Sequence, residues 1–240
     1  MSFIGKLLNL LYVPVCLSCH VRIKSGVLCS ACLDMLRENV ENELCPTCLL
    51  PYNECRCVSP LLKNAGIRRH YKLFRYDPQI PDAPESRILY TLKHKRLLPL
   101  GDFIEKEFKA SLPMVKDTQS TVVTYMPRMR RSVFADGTDA AKVIARAVAR
   151  ASGLRCLSCF RHVGNRRQKE LSVNERIINA RNSYKLTVLP EDIVGKRVIL
   201  VDDVSTTGAT LAVGARLLRR AGARSVTVVT LAASHRSAYA

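Results

Sequence analysis

The sequence predicts an α/β domain, in which helices cover both faces of a parallel β-sheet, preceded by a small cysteine-rich module. Strand-like and helix-like segments alternate from about residue 65. The strand at residues 198–201 is continuously apolar, as is typical of a strand buried on both faces. Eight of the ten cysteines lie between Cys16 and Cys57. We therefore expect two domains, at residues 1–60 and 61–240.

Each element of the second domain follows from its own residue pattern. Apolar and β-branched stretches predict strands at residues 65–76, 121–125, around 156, 197–201 and 225–231. Helical periodicity predicts helices at residues 85–95, 100–110, 139–151 and 210–221. The helix at 139–151 has the clearest apolar stripe, and its opposite face carries Lys142, Arg146 and Arg150. Gly153 and Gly222 are expected to end the last two helices.

Charge is unevenly distributed along the chain. The sequence contains 38 Lys and Arg against 20 Asp and Glu, a formal net charge of +18. The first 60 residues hold five basic and five acidic side chains, so the whole excess lies in the second domain. A domain this positive is expected to attract phosphate groups of nucleotides, sugar phosphates or nucleic acid.

No apolar run approaches the roughly 20 residues that span a bilayer, so no membrane insertion is expected. The short apolar stretch at residues 7–13 lacks the small-residue cleavage site of a signal peptide. A cytoplasmic location is therefore predicted.

Four cysteine pairs point to metal binding in the first domain. A Cys-x-x-Cys turn brings two thiolates together, and two such turns supply the four sulfurs that structural zinc prefers. Two structural zinc sites are predicted, and the simplest pairing assigns Cys16, Cys19, Cys29 and Cys32 to one ion and Cys45, Cys48, Cys55 and Cys57 to the other. A cross-braced pairing is equally compatible with the spacing. A disulfide framework would suit the same count in a secreted protein.

The remaining two cysteines, Cys156 and Cys159, also form a Cys-x-x-Cys pair. They are expected on a strand, where residues three apart point to opposite faces. Packing is therefore favoured over a redox role.

The most informative segment is the end of the strand at 197–201. Two carboxylates, Asp202 and Asp203, follow the strand, and a loop rich in Thr and Gly then opens a helix. Carboxylates suit a ribose diol or Mg²⁺, and a helix amino terminus offers backbone N–H groups to a phosphate. This segment resembles the ribose-phosphate motif of type I phosphoribosyltransferases, and the resemblance implies that family's parallel-sheet fold.

The cysteine module followed by this motif resembles the ComF family of competence-associated proteins. Leu92-Lys93-His94-Lys95 is similar to a Leu-Lys-Tyr element of that family, and the segment from Arg167 to Asn179 is similar to the family's segment before the last core strands. One stretch departs from the family. The family usually reads Arg-Gly-aromatic-Asn-Gln after its Pro-Arg-Arg stretch, and here the corresponding residues are Asp136-Gly137-Thr138-Asp139-Ala140. Gly137 and Asp139 fit that pattern, whereas the arginine, the aromatic residue and the glutamine are absent.

The first function that the resemblance implies is binding of phosphoribosyl pyrophosphate (PRPP) with Mg²⁺, and transfer of the phosphoribosyl group to an acceptor. Asp202 and Asp203 would hold the ribose hydroxyls, and Lys93 would meet the pyrophosphate together with Arg128 or Arg131. The residues expected around the 5-phosphate are Ser205, Thr206, Thr207, Gly208, Ala209 and Thr210. The sequence shows no acceptor pocket and leaves turnover open.

The alternative function is non-catalytic handling of single-stranded DNA, with DNA-uptake proteins as partners. Two basic clusters could follow a phosphate backbone: Arg128, Arg130 and Arg131 in one, and Arg161, Arg166, Arg167 and Lys169 in the other. The chain has no Trp and is 6% aromatic, so electrostatic contact is expected to outweigh base stacking.

Overall fold

The computed structural model describes residues 14–95, 98–163 and 183–234. Within them the helices are α1 Ser30–Asn42, α2 Pro60–Asn64, α3 Pro84–His94, α4 Leu98–Ser111, α5 Arg130–Asp136, α6 Ala140–Ser152 and α7 Ala209–Arg220, with a 3₁₀ turn at Pro190–Asp192. The strands are β1 His70–Tyr76, β2 Thr121–Tyr125, β3 Arg155–Cys156, β4 Phe160–His162, β5 Tyr184–Leu186, β6 Arg197–Ser205 and β7 Ser225–Ser234.

Five strands form one sheet in the order β1-β7-β6-β2-β3, and every neighbouring pair is parallel. The strands β4 and β5 form a separate antiparallel pair. The predicted α/β class with a parallel sheet is therefore confirmed. The continuously apolar strands explain it, because a parallel sheet must be covered on both faces.

The central strands send alternate side chains into two hydrophobic clusters. On β6, Leu200 joins the cluster formed with α7, whereas Val201 joins the cluster formed with α6. On β7, Val228 and Val229 divide in the same way. Helices on both faces thus bury the sheet, and the carboxyl ends of its strands meet at one edge.

The cysteine-rich part packs against the α/β part. Val27, Leu28 and Leu36 belong to the same buried cluster as residues of β1, α3 and α6. The amide of Asn39 in α1 donates to both carboxylate oxygens of Glu85 in α3, at 3.2 and 3.3 Å. The first module is therefore anchored by apolar packing and by a polar contact.

Three elements differ in extent from the sequence prediction. The strand predicted from residue 65 begins at His70, because α2 precedes it and Gly66 turns the chain at a φ of +76°. The strand around 156 has only two residues. Strand β6 continues to Ser205, so Asp202 and Asp203 lie within the strand end rather than after it.

None of the helices in the described parts of the chain combines the length and the apolarity needed to cross a bilayer. The predicted polar stretch at 161–184 lies largely outside the described residues.

Two helical glycines provide a test of the packing between α7 and the sheet. A Cβ at Gly214 would lie 2.5 Å from Met126 Sδ and 3.1 Å from Leu200 Cδ2, whereas at Gly101 the nearest atom would be Arg150 Nη2 at 3.7 Å. Gly214→Ala should therefore lower the free energy of unfolding by about 1 to 2 kcal/mol. Gly101→Ala should leave it unchanged or raise it by up to about 1 kcal/mol, because alanine favours helix. Urea unfolding measures both, and a Gly214→Ala protein as stable as the parent would contradict the packing.

Candidate functional site

A loop at the carboxyl end of β6 opens helix α7. Gly208 is the N-cap residue of α7 with a φ of +77°, and the Ala209 amide donates to Thr207 Oγ1 at 3.3 Å. A Cβ at 208 would lie 2.8 Å from Ser59 Oγ and 2.9 Å from Leu62 Cγ, so both the turn and the packing of α2 require glycine. The loop lines a cavity of about 300 Å³. Backbone N–H groups at a helix amino terminus make such a loop a site for a phosphate.

The acid pair lines the same cavity and meets a lysine from another helix. Lys93, in the last turn of α3, places its Nζ 3.3 Å from Asp203 Oδ2. Asp202 Oδ1 accepts a hydrogen bond from the Asp203 amide at 2.9 Å. The structure therefore brings Lys93, Asp202, Asp203 and the 205–210 loop together around one cavity, as the sequence predicted.

Desolvation, and then repulsion from the Asp203 carboxylate, raise the pKa of Asp202 well above the usual value of an aspartate. A carboxylate held at such a cost in the ligand-free protein favours a partner that supplies positive charge or hydroxyl donors. Mg²⁺ and a ribose diol both meet that description.

A third carboxylate, Asp139, lies near the acid pair as the N-cap residue of α6. It caps α6 by accepting from the Lys142 amide at 3.4 Å, and it also accepts from the Arg128 amide at 3.3 Å. Burial, opposed by these hydrogen bonds and reinforced by Asp203, raises the pKa of Asp139. The sequence analysis placed Asp139 at a helix start and matched it to the family's pattern, but did not assign it to the site. Its helix follows β2, a neighbour of β6 in the sheet, and this order is the signal that could have identified it.

Arg128 contacts both Asp139, through its backbone amide, and Lys93, through its guanidinium group. Its Nη1 donates to the Lys93 carbonyl at 3.0 Å, and its Nη2 lies 2.8 Å from Asp136 Oδ2. Asp136 also accepts from His94 Nδ1 at 3.3 Å. The stretch that departs from the family pattern therefore fixes Arg128 through Asp136. Arg131 is exposed on α5, and Arg167 and Lys169 lie outside the described residues.

A second cavity, of about 690 Å³, lies close to the first, because Arg128 lines it and contacts Lys93, which lines the first cavity. Its aromatic lining residues are Tyr125, Phe134 and Phe160. Phe134 is 93% exposed, which is unusual for a side chain of this size. This cavity could not be predicted from local sequence patterns, because its walls come from β2, α5, α6 and the β4–β5 pair.

The eight cysteines of the first module form two groups of four, and in each group the sulfur atoms all lie within 4.8 Å of one another. The members are Cys16, Cys19, Cys29 and Cys32 in the first group and Cys45, Cys48, Cys55 and Cys57 in the second. Tetrahedral zinc with Zn–S bonds of about 2.3 Å places its sulfurs about 3.8 Å apart, so both groups fit zinc. The pairing is sequential and the cross-braced alternative is not adopted.

Backbone N–H groups favour the thiolate form of one cysteine in each group. Burial raises the pKa of Cys16, but hydrogen bonds from the backbone of Cys19, Cys29 and Ser18 outweigh it and lower that pKa to about 6. The pKa of Cys45 is likewise lowered to about 6, because backbone hydrogen bonds at residues 48 and 47 overcome the effect of burial. Thiolates are the form that binds metal.

A buried lysine, which sequence reasoning missed, accompanies the second group. Lys72 of β1 is 1% exposed, and its Nζ donates to the carbonyls of Cys57 at 3.3 Å and Cys55 at 3.5 Å. A zinc ion with four thiolates carries a net charge of −2, and Lys72 would partly neutralise it. A buried ammonium without a carboxylate partner fits an anionic neighbour of this kind.

Cys156 lies in β3, whereas Cys159 follows that strand and is fully buried. Burial raises the pKa of both thiols, to about 11 for Cys159. Redox cysteines have lowered pKa values, so a packing role stays the favoured prediction.

The Asp202 carboxyl group provides a test of charge repulsion in the ligand-free protein. The pKa of Asp202 is higher in the folded protein than in the unfolded chain. At a pH above the unfolded pKa, ionisation of Asp202 therefore costs free energy in the folded protein, and this cost disappears as the pH falls toward the unfolded pKa. Asp202→Asn should therefore raise the free energy of unfolding at pH 7 by about 1 kcal/mol. The gain should shrink at lower pH. Chemical unfolding across a pH series measures it.

Asp117→Asn is the matched control. The Ser120 amide and, more weakly, Arg197 lower the pKa of Asp117, so this substitution should destabilise the protein at neutral pH. A loss of stability in Asp202→Asn as well would contradict the repulsion.

Comparison with known proteins shows similarity to one family model and to curated proteins. Residues 140–240 match the family model described as a phosphoribosyl transferase domain. The DNA utilization protein YhgH of Escherichia coli is 27% identical over 232 residues, which cover 91% of this chain and 97% of that protein. Competence protein F of Haemophilus influenzae is 42% identical over 65 residues, 27% of this chain and 28% of that protein.

Among solved structures, the adenine phosphoribosyltransferase of Leishmania tarentolae aligns with a TM-score of 0.33 and 14% identity, covering 76% of this chain and 84% of that one. A score this low adds no argument about function. The two curated relatives confirm the resemblance that the sequence motifs predicted. The chain is therefore similar to the DNA utilization protein over most of its length and to the competence protein over about a quarter of it, and residues 140–240 match the phosphoribosyl transferase domain model.

Proposed function

We propose that this protein binds PRPP with Mg²⁺ at the carboxyl end of β6 and transfers its phosphoribosyl group to an acceptor. The observation that carries the proposal is the meeting of three groups around one cavity: the phosphate loop at the start of α7, the carboxylate pair of Asp202 and Asp203, and Lys93. Each group matches one part of the ligand. These parts are the 5-phosphate, the ribose hydroxyls and the pyrophosphate.

The loop from Ser205 to Thr210 would bind the 5-phosphate through backbone N–H groups and hydroxyls. Asp202 and Asp203 would accept hydrogen bonds from the ribose diol and fix the sugar. Mg²⁺, when bound, would offset negative charge on the pyrophosphate. Lys93 pairs with Asp203 in the ligand-free protein, and in the complex its ammonium would face the pyrophosphate.

In the transfer step the bond between ribose C1 and the pyrophosphate oxygen breaks, and a bond from C1 to the acceptor nucleophile forms. The electron pair leaves with pyrophosphate, and the acceptor loses a proton if it carries one. Lys93 would stabilise the departing charge, and Arg128, which donates to the Lys93 carbonyl, would help to hold Lys93 in position. The nearby cavity of about 690 Å³ would hold the acceptor.

Asp203→Asn tests the ribose site, because it removes one carboxylate without changing side-chain size. We expect PRPP affinity in the presence of Mg²⁺ to fall by about a hundredfold or more, since a charged acceptor and a potential metal contact are both lost. Calorimetric titration measures the affinity. Asp34→Asn is the matched control, because Asp34 is exposed on α1 and its side chain pairs only with Arg37. Equal PRPP affinity in Asp203→Asn and the parent would contradict the assignment of Asp203 to the ribose site.

The cysteine groups support a second part of the proposal, that each holds one structural zinc ion. Four sulfurs leave no open coordination position, so the metal would stabilise the fold and take no part in catalysis. Because α1 and the cysteine turns have few large buried side chains, metal binding would supply much of the module's stability.

Elemental analysis tests the zinc sites. The parent chain should contain two zinc ions, and Cys45→Ser should retain about one and unfold at a lower temperature, because one ligand of four is lost. Cys156→Ser is the control, since Cys156 lies outside both groups, and it should retain two. Full zinc content in Cys45→Ser would refute the second site.

A second candidate function is binding of nucleic acid, which the relative's name, DNA utilization protein, and the net charge of +18 favour. Part of the basic surface predicted from sequence is already engaged. Arg150 forms ion pairs with Asp102 and Glu105 of α4. Arg128 is held by Asp136. These two cations would therefore have to leave their carboxylate partners to meet a phosphate backbone.

A further inference from the structure

A cavity of about 470 Å³ lies at the amino-terminal edge of the sheet, opposite the edge that carries Asp202 and Asp203. Four arginines line it: Arg68 and Arg69 precede β1, Arg224 precedes β7, and Arg219 lies in the last turn of α7. The chain brings them together because β1 and β7 are parallel neighbours that start at the same edge. None of the four belongs to the basic clusters predicted from sequence.

These four arginines lack carboxylate partners among the described residues. No acidic side chain of residues 14–95, 98–163 or 183–234 lies within 4.0 Å of any of their guanidinium groups, and no acidic residue lines the cavity. Arginines elsewhere in the fold, such as Arg75 and Arg197, are paired at 3.0 to 3.2 Å. Four like charges around one concavity repel one another, and an anion relieves that repulsion.

One of the four is already fixed in position. Arg219 Nη1 donates to the Gly66 carbonyl at 3.1 Å. It lies only 2.6 Å from the place that a Cβ at 66 would take, so the glycine makes room for the guanidinium. Because its place is set before any ligand arrives, less side-chain entropy is lost on binding.

The lining also indicates the class of ligand. Guanidinium groups bind phosphate oxygens in a bidentate manner. The remaining lining residues are Gly66, Ser225, Val226 and Thr227, so no aromatic ring is present to stack on a base. A mononucleotide site would need such a surface for its base. A phosphodiester backbone needs only the phosphate contacts.

We infer that this arginine cavity is a binding site for the phosphate backbone of a nucleic acid, read without regard to base sequence. The inference deepens the second candidate function and rests on it, and it is independent of PRPP binding at the opposite edge of the sheet. It places nucleic acid on the face formed by the starts of β1 and β7 and the end of α7. The ribose-phosphate site would stay accessible when nucleic acid is bound.

The test compares two double substitutions that remove the same charge. The cavity variant, Arg68→Gln with Arg224→Gln, removes two exposed guanidinium groups from the cavity. The control variant, Arg22→Gln with Arg155→Gln, removes two exposed arginines that do not line it. Each protein is titrated into a fluorescein-labelled single strand of mixed sequence, about 20 nucleotides long, between about 50 and 200 mM NaCl. Thermal unfolding confirms that both variants are folded.

We expect the cavity variant to lose about tenfold or more in affinity at the lower salt concentration. The slope of log K against log salt should become shallower by about 1.4, since each contact to a single strand contributes about 0.7. The control variant should keep the affinity within about threefold and most of the slope. This contrast would separate a defined cavity from diffuse attraction.

Two results of the oligonucleotide titration would overturn the inference. Equal losses in both variants would mean that the charge acts diffusely, and nucleic-acid binding would stand without this cavity. Absence of any oligonucleotide binding by the parent would remove both. A tripolyphosphate titration distinguishes the other source of the same chemistry: tight tripolyphosphate binding, lost in the cavity variant and without oligonucleotide binding, would assign the cavity to a small polyphosphate.

Discussion

The contact between α2 and Gly208 is the constraint on which the arrangement of the functional parts depends. The Ser59 hydroxyl donates to the Thr207 carbonyl at 3.0 Å, and Leu62 fills the space that any side chain at 208 would need. Only a residue without a Cβ can both adopt the positive φ and accept this packing. Since Cys57 lies two residues before Ser59, the second cysteine group, α2 and the phosphate loop form one continuous packed unit.

Around this unit the protein separates two kinds of charge. Arginines that hold the fold together are paired, as Arg75 is with Glu43 and Asp77. The groups that face the two ends of the sheet are not balanced: carboxylates crowd at the carboxyl edge, and guanidinium groups crowd at the amino edge. Such imbalance lowers the stability of the ligand-free protein, and it is typical of sites that await a ligand of opposite charge.

The sequence predicted those features that depend on neighbouring residues in the chain. The strand at 121–125 and the helix after Asp139 were found from local periodicity, and the acid pair with its Thr/Gly loop was predicted to be a phosphate site. Only the family resemblance brought distant residues together, when it placed Lys93 and Arg128 on the same ligand as the acid pair. The burial of Lys72 and the arginine cavity were not predicted, because they need the order of strands in the sheet, which no local pattern encodes. The cysteine spacing left two pairings open, and only the folded arrangement distinguishes them.

If the cysteine groups hold the proposed zinc ions, Lys72 would connect metal binding with the stability of the sheet. The side chain projects from β1, which is an edge strand paired only with β7. If the second cysteine group were empty and protonated, the ammonium of Lys72 would be buried without an anionic neighbour. The free energy of that burial would destabilise β1, the strand that carries Lys72. We expect β1 to detach first in that state, which would leave the hydrogen-bonding groups of the apolar strand β7 uncovered. An uncovered apolar edge pairs readily with other chains, so metal-depleted protein should be lost to aggregation before the rest of the domain unfolds.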